Sequence, residues 1–271
     1  MHVIVREPSA AIRQAISNHP EREQIDPERA VAQHRRFVAA LSAVGLDVVA
    51  LQPEPALPDA TFVSDTIVAL PPAADPDGPA ALLVVARPGA ISRRGEVASV
   101  SAMAQQLAPD ATVVELEEPA TLDGGDVIVY GDRIAIGVSG RTNVCGAGQL
   151  ALAVGPLGYR AFLCPVTDRL HLATAVTPLG PRRLIGTAAG FASLDRAHGS
   201  APETEVERIP VPEEEAGAAN VLAIRGRVFM PSGHPRTSRA LRDAGELVVE
   251  LDLDEFARAD GGPTCLVALV P

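Results

Sequence analysis

RAVAQHRRFVAALSAVGLDVVALQP, residues 29–53, changes period partway along. Apolar residues at helical spacing run up to Val44, Gly45 supplies a stop, and a β-rich run begins at Asp47. Four more stretches repeat this helix-to-strand unit. They are RRGEVASVSAMAQQL before ATVVELEEP (93–107, 111–119), RTNVCGAGQLALAVGPLG before YRAFLCPV (141–158, 159–166), the weaker AAGFASLDRAHG before ETEVERIPV (188–199, 203–211), and TSRALRDAG before ELVVELDL (237–245, 246–253). The strands begin near 47, 111, 159, 204 and 246, so successive starts differ by 64, 48, 45 and 42 residues. A recurrence of that length is the mark of a modular architecture.

A second strand type recurs five times as well, each ending in a small or Pro turn: HVIVREPS, LLVVARPG, RIAIGVSG, RLIGTAAG and RVFMPSG. The first of these opens the chain at His2. A closed ring of five βαβ-like blades whose termini meet accommodates both series. The alternative is a doubly wound α/β sheet, which loses its main support because no G-x-G-x-x-G follows a strand. The Pro, Asp and Gly of PPAADPDGPA, 71–80, read as an exposed turn inside a blade, and the polar, Pro-broken SNHPEREQIDPER, 17–29, as a mobile loop over a site.

Composition narrows the function. The 271 residues carry a formal charge of -11, which disfavours nucleic acid and anionic membranes and suits a cationic ligand. All 23 basic residues are arginine, so a missing lysine says little about any one position. No apolar run approaches the ~20 residues of a membrane span, and MHVIVREPSA lacks the basic and apolar regions of a signal peptide, so a cytoplasmic location is expected. Three cysteines without C-x-x-C spacing argue against a disulfide framework or a structural zinc site.

The segments after the first strand series are unlike ordinary turns: LPDATFVSD (57–65), TLDGGD (121–126), LHLAT (170–174), EEEAGAAN (213–220) and DGGPTC (260–265). In a ring all five converge at one end of the axis. The glycine pair before Cys265 lets the backbone take φ > 0 or approach a ligand, which presents the thiol; a packed small residue is the alternative. Cys145 and Cys164 fit core positions of a helix and a strand. His171 is either a satisfied core histidine or an acid and base beside Cys265, while His2, His19, His34, His198 and His234 read as surface. Asp59, Asp65, Asp123 and Asp126 are either turn caps or a carboxylate cage for a planar cation. Arg93 and Arg141 open two helices, where acids are preferred, which hints at a ligand carboxylate.

RPGAISRRGE, LDGGDV, IGVSGRTN, LHLATAVT, EEEAGAANVL, MPSGHPRT and DGGPTC, in this order and spacing, closely resemble the motifs of the dimethylarginine dimethylaminohydrolase family of the guanidino-group modifying, or pentein, superfamily. The resemblance covers essentially the whole chain and implies one catalytic domain, 1–271, folded as a five-bladed α/β propeller of pseudo-fivefold ββαβ-type repeats around a central cleft. It further implies Cys265 as nucleophile, His171 as acid and base, and Asp123 as the matching carboxylate. Asp65 would hold the guanidinium, Arg93 and Arg141 the α-carboxylate, and Asp59 the α-amino end. The implied substrate is a methylated arginine, a small guanidino molecule, with no metal and no organic cofactor; a homodimer stays open. An arginine deiminase acting on unmethylated arginine is the nearest rival, although such enzymes carry an inserted helical domain absent here. A non-catalytic guanidino-binding protein would not require Cys265 and His171. Two positions depart from the family: Ser64 replaces the common acid before Asp65, which puts substrate choice in question, and Ala173 replaces the common lysine after His-Leu.

Overall fold

In the computed structural model, residues 1–71, 80–167, 169–198 and 206–271 are described. The chain starts with β1 (His2–Arg6), α1 (Pro27–Ala43) and β2 (Asp47–Leu51). Asp26 caps α1 by accepting from the amides of Glu28 and Arg29, with Pro27 at the first helical position, and Gly45 (φ 77) turns the chain out at the other end. The next blade is β3 (Ile67–Leu70), β4 (Leu82–Val85), α2 (Val97–Leu107) and β5 (Thr112–Glu115). The third is β6 (Val127–Tyr130), β7 (Arg133–Val138), α3 (Val144–Val154) and β8 (Arg160–Pro165). The fourth is β9 (Val176–Gly180), β10 (Arg183–Gly186), α4 (Ala188–His198) and β11 (Glu207–Pro210). Last come β12 (Leu222–Ile224), β13 (Arg227–Pro231), α5 (Pro235–Asp243), β14 (Val248–Leu251) and β15 (Ala268–Val270).

These strands form five three-stranded sheets. In each, a middle strand pairs antiparallel with an inner one and parallel with an outer one, and the helix provides the parallel crossover, as in β6-β7-β8. The first sheet is assembled from both ends of the chain. β15 pairs antiparallel with β1, His2 opposite Val270, while β2 pairs parallel with β1, His2 opposite Asp47. The fold is therefore the expected five-bladed α/β propeller. Local periodicity marks the middle and outer strands, while the inner ones, three to five residues long, were implied by the resemblance alone.

Helices pack outside the sheets over separate apolar clusters. One joins Val3 and Val5 of β1 to Phe37 and Leu41 of α1 and Phe229 of β13, with Phe37 edge-on to Phe229. Another joins Ile134 and Ile136 of β7 to Ala147, Leu150 and Val154 of α3. That phase of α3 corrects the expectation for Cys145: Gly146, Ala147, Leu150 and Val154 face the sheet, which leaves Cys145 exposed, whereas Cys164 is buried as expected. His34 is corrected in the opposite sense. It shares the inner face of α1 with Ala30, Phe37 and Leu41 and is 3% exposed, while His2, His19 and His234 are half-buried. The expected turn at 71–80 and the start of the fourth outer strand, together with the side chain of His198, lie outside the described residues.

Candidate active site

Five short 3-10 segments, 63–66, 124–126, 172–174, 213–219 and 263–266, the fourth kinked at Glu215, each lead from an outer strand into the inner strand of the next blade. They are the five segments singled out in the sequence. Neighbouring residues within a turn face opposite ways. Asp65, His171 and Cys265 line one cleft, together with Asp59, Arg93 and Arg141. Ser64, Gly125, Ala173 and Thr264 line a cavity of about 260 Å³ behind the turns, walled by residues of all five inner strands. Both family departures, Ser64 and Ala173, therefore sit on the rear cavity and outside the residues that line the cleft.

Of the seven expected site residues, six line the cleft, and Asp123 lies behind His171, fully buried. Asp123 Oδ2 is 3.0 Å from His171 Nε2, and its Oδ1 accepts from the Gly89 amide at 3.0 Å. On the other side of the ring His171 Nδ1 is 3.9 Å from Asp65 Oδ1. Burial alone would push the His171 imidazole down; the carboxylates of Asp65, Asp123 and Asp126 outweigh it and raise it to about 9. Gly125 makes this closeness possible, because a Cβ there would come within 2.7 Å of both Asp65 Oδ1 and His171 Nδ1. Asp126, a candidate for the carboxylate cage, is instead a clamp: Oδ2 accepts from Ser139 Oγ at 2.6 Å and Oδ1 from the Leu172 amide at 2.9 Å, which fixes the turn after His171.

Arg93, expected at the α-carboxylate, lines the cleft but is bonded within the protein. It lies in the short 3-10 segment 91–96 ahead of α2, 4% exposed, and each of its three nitrogens bonds a protein acceptor. Nη1 donates to Asp65 Oδ2 at 2.6 Å, Nε and Nη2 to the Glu96 carboxylate at 3.1 and 2.8 Å, and Nη2 also to the Phe62 carbonyl at 3.2 Å. A buried fork occupied on every side is poorly placed to take a ligand carboxylate. Burial opposes ionisation of Asp65, but the charges of His171 and Arg93 outweigh it and hold the carboxyl below its usual range. Arg141 differs. It precedes Asn143, the N-cap of α3, its backbone amide is held by Ser139 Oγ at 3.0 Å, and its guanidinium makes no ion pair or side-chain hydrogen bond among the described residues. Asp59 takes the Ile16 amide at 3.0 Å, and burial pushes its carboxyl up. The segment expected to be a mobile loop begins here and is tied down: Ser17 Oγ donates to the Arg258 carbonyl at 2.9 Å and the Asn18 amide to Asp260 at 2.8 Å.

Cys265 is 6% exposed, and burial first, then the charge of Asp65, pushes its thiol up. The preceding glycines serve side chains more than dihedrals. A Cβ on Gly261 would meet the Phe62 ring at 2.3 Å and one on Gly262 would meet Asn220 Cγ at 2.6 Å, while the left-handed residue of the turn is Asp260 (φ 56). Asn220 and Glu96 are site neighbours that the sequence reading missed. Asp65, Asp123 and His171 each offer a ligand atom within 4.8 Å of the others, a spacing that suits a metal ion, but Arg93 already neutralises Asp65 from within.

A family model described as N,N dimethylarginine dimethylhydrolase, eukaryotic, matches residues 2–176. The chain is 38% identical over 263 residues to N(G),N(G)-dimethylarginine dimethylaminohydrolase of Streptomyces coelicolor, covering 97% of this chain and 94% of that one. It is 33% identical over 267 residues to the protein of the same name from Pseudomonas aeruginosa, covering 98% and 97%. Among solved structures, the Pseudomonas aeruginosa enzyme in a cysteine-to-serine mutant complexed with citrulline has a TM-score of 0.83 at 30% identity, covering 98% of this chain and 97% of that one. A dimethylarginine dimethylaminohydrolase adduct with S-methyl-L-thiocitrulline has a TM-score of 0.84 at 30% identity, covering 98% of each chain.

Proposed function

The chain belongs to the dimethylarginine dimethylaminohydrolase family, and from that premise we propose that it hydrolyses the guanidinium C–N bond of Nω-methylated arginines, releasing citrulline with dimethylamine or methylamine. The observation that carries the reading is the convergence of Asp65, His171 and Cys265, from three different turns, on one cleft. The whole chain, 1–271, is the catalytic unit in this reading.

The substrate guanidinium sits against Asp65, where its charge offsets the carboxylate and favours the Cys265 thiolate. Sγ attacks the central carbon and forms a C–S bond. The C–N bond to the methylated nitrogen then breaks as His171, largely protonated at neutral pH with its acidity set at about 9, gives its proton to the departing amine. Asp123 holds the imidazole through Nε2 at 3.0 Å and stabilises its charged form. A water then loses a proton to His171 and attacks the carbon; the C–S bond breaks, and citrulline leaves. Arg141, its guanidinium unpaired among the described residues, receives the α-carboxylate, Asp59 the α-amino group, and Arg93 acts through Asp65, whose orientation it fixes.

The test measures citrulline release from arginine, monomethylarginine and asymmetric dimethylarginine side by side, with Cys265→Ser as control. The methylated substrates are expected to turn over and the variant to be inactive with its fold intact. A preference for unmethylated arginine would overturn the substrate assignment, and citrulline from Cys265→Ser would overturn the covalent route.

A further inference from the structure

Four of the five turns already have a polar side chain with a role: Asp65 in the first, Asp126 in the second, with Asp123 at its head, His171 ahead of the third, and Cys265 in the fifth. In the fourth turn, EEEAGAAN, Glu215 is spent on holding the start of α5 through Thr237, which leaves Asn220 to face the site. Asn220, the last residue of that turn, is 4% exposed and reaches across the ring to the fifth, with Nδ2 3.4 Å from Cys265 Sγ.

The amide can face only one way. Asn220 Oδ1 accepts from the Thr264 amide at 3.0 Å and from Thr264 Oγ1 at 2.8 Å. A backbone N–H can only donate, so the oxygen must face Thr264, and this turns the NH₂ toward sulfur. The backbone on both sides of Asn220 is clamped by Thr177, whose Oγ1 donates to the Ala219 carbonyl at 2.7 Å and accepts from the Val221 amide at 3.3 Å. Residue 262 is a glycine around the same side chain, since a Cβ there would overlap Asn220 Cγ. A buried amide supported this closely, with its donor end on a reacting atom, is more than packing.

We propose that Asn220 is a catalytic residue that donates its Nδ2–H to Cys265 Sγ, orienting the sulfur and stabilising the thiolate before attack. The proposal rests on Cys265 being the nucleophile. The hydrogen bond opposes burial and the Asp65 charge, both of which favour the neutral thiol.

The experiment uses the full chain carrying Cys145→Ser, because Cys145 is the exposed thiol. The rate of Cys265 alkylation by iodoacetamide is followed against pH without substrate, alongside kcat and KM for asymmetric dimethylarginine. Asn220→Ala is expected to move the alkylation midpoint up by about one pH unit and lower kcat about tenfold, with KM within about threefold. Asn220→Asp keeps the acceptor for Thr264 but exchanges the donor for a carboxylate, so its midpoint should rise further. An unchanged midpoint in folded Asn220→Ala overturns the proposal; if that variant does not fold, an unchanged midpoint in Asn220→Asp does so. Citrulline production by Cys265→Ser would remove the nucleophile reading alone, because the alkylation midpoint still reports whether Asn220 acts on sulfur.

Discussion

Arg93 Nη1 lies 2.6 Å from Asp65 Oδ2, so the carboxylate proposed to receive a substrate guanidinium already holds one belonging to the protein. Glu96 grips the other edge of the same fork, and all three groups are buried. The site thus contains a built-in salt bridge network whose members cannot be removed singly without stranding a charge. Arg93→Ala leaves Glu96 uncompensated and Asp65 with the His171 charge alone, and is expected to cost about 3–5 kcal/mol of stability. Urea denaturation reads this directly, and a midpoint like that of the parent would contradict it.

Arg141 has no such partner among the described residues. Arg141→Ala should leave stability within about 0.5 kcal/mol. It should raise KM for dimethylarginine roughly tenfold to a hundredfold, the worth of charge-assisted hydrogen bonds to a carboxylate. An agmatine-like substrate without that carboxylate should lose little. Equal losses for the two substrates would remove the assignment.

Asp123→Asn keeps the shape of the His171 partner but deletes one of the charges that raise the imidazole to about 9. The expected outcome is a downward shift of the alkaline limb of kcat/KM, since His171 then loses its proton at lower pH. Steady-state rates from pH 6 to 10, roughly the span over which an imidazole so raised titrates, locate the limb. A limb that stays in place would show that Asp123 only packs.

His34 offers a pH test outside the site. Burial pushes it down to about 4, and its Nε2 has no hydrogen-bond partner among the described residues. Unfolded, the ring takes a proton near 6.5; folded, it resists until about 4. Stability from this group is therefore intact above 6.5 and is lost as pH falls toward 4, by about 3 kcal/mol in all. His34→Leu should abolish that part of the slope. The difference between parent and variant unfolding free energies, measured across this window, should change by that amount, and a constant difference would refute it.

Ser64 first suggested a change of substrate range, because the family commonly has an acid there. Its place on the cavity behind the turns, with Ala173, points to stability instead. Ser64→Glu alone should destabilise the fold and leave the ratio of dimethylarginine to arginine turnover within about twofold, and adding Ala173→Lys should recover stability by pairing the charge. A changed ratio would return Ser64 to the cleft side of the argument.

The repeat was legible because helices and half-buried strands print their periods on the residues. Local sequence left Cys265 and His171 open between core and site, and the family resemblance singled them out; the turns bring both to the cleft. Asn220 was invisible locally: its meaning lies in a sulfur 45 residues away, brought near only by ring closure. The ion pairs of Arg93 were hidden for a similar reason. A sequence shows an arginine near a helix start, but whether its fork faces solvent or two carboxylates depends on strands elsewhere in the chain. Cys145 and His34 failed on phase, since a pattern of small residues in α3 and a polar residue in α1 do not fix which face turns inward.

The pairing of β15 with β1 has a further consequence. Every other blade is a continuous piece of chain, but the first borrows its inner strand from far along the sequence, and the turn just before that strand carries Cys265. Whatever pries the propeller open at this seam also withdraws the thiol from His171 and Asp65. Under the proposed mechanism a partly opened molecule is therefore inert rather than indiscriminate, and closure of the ring is what arms the thiol.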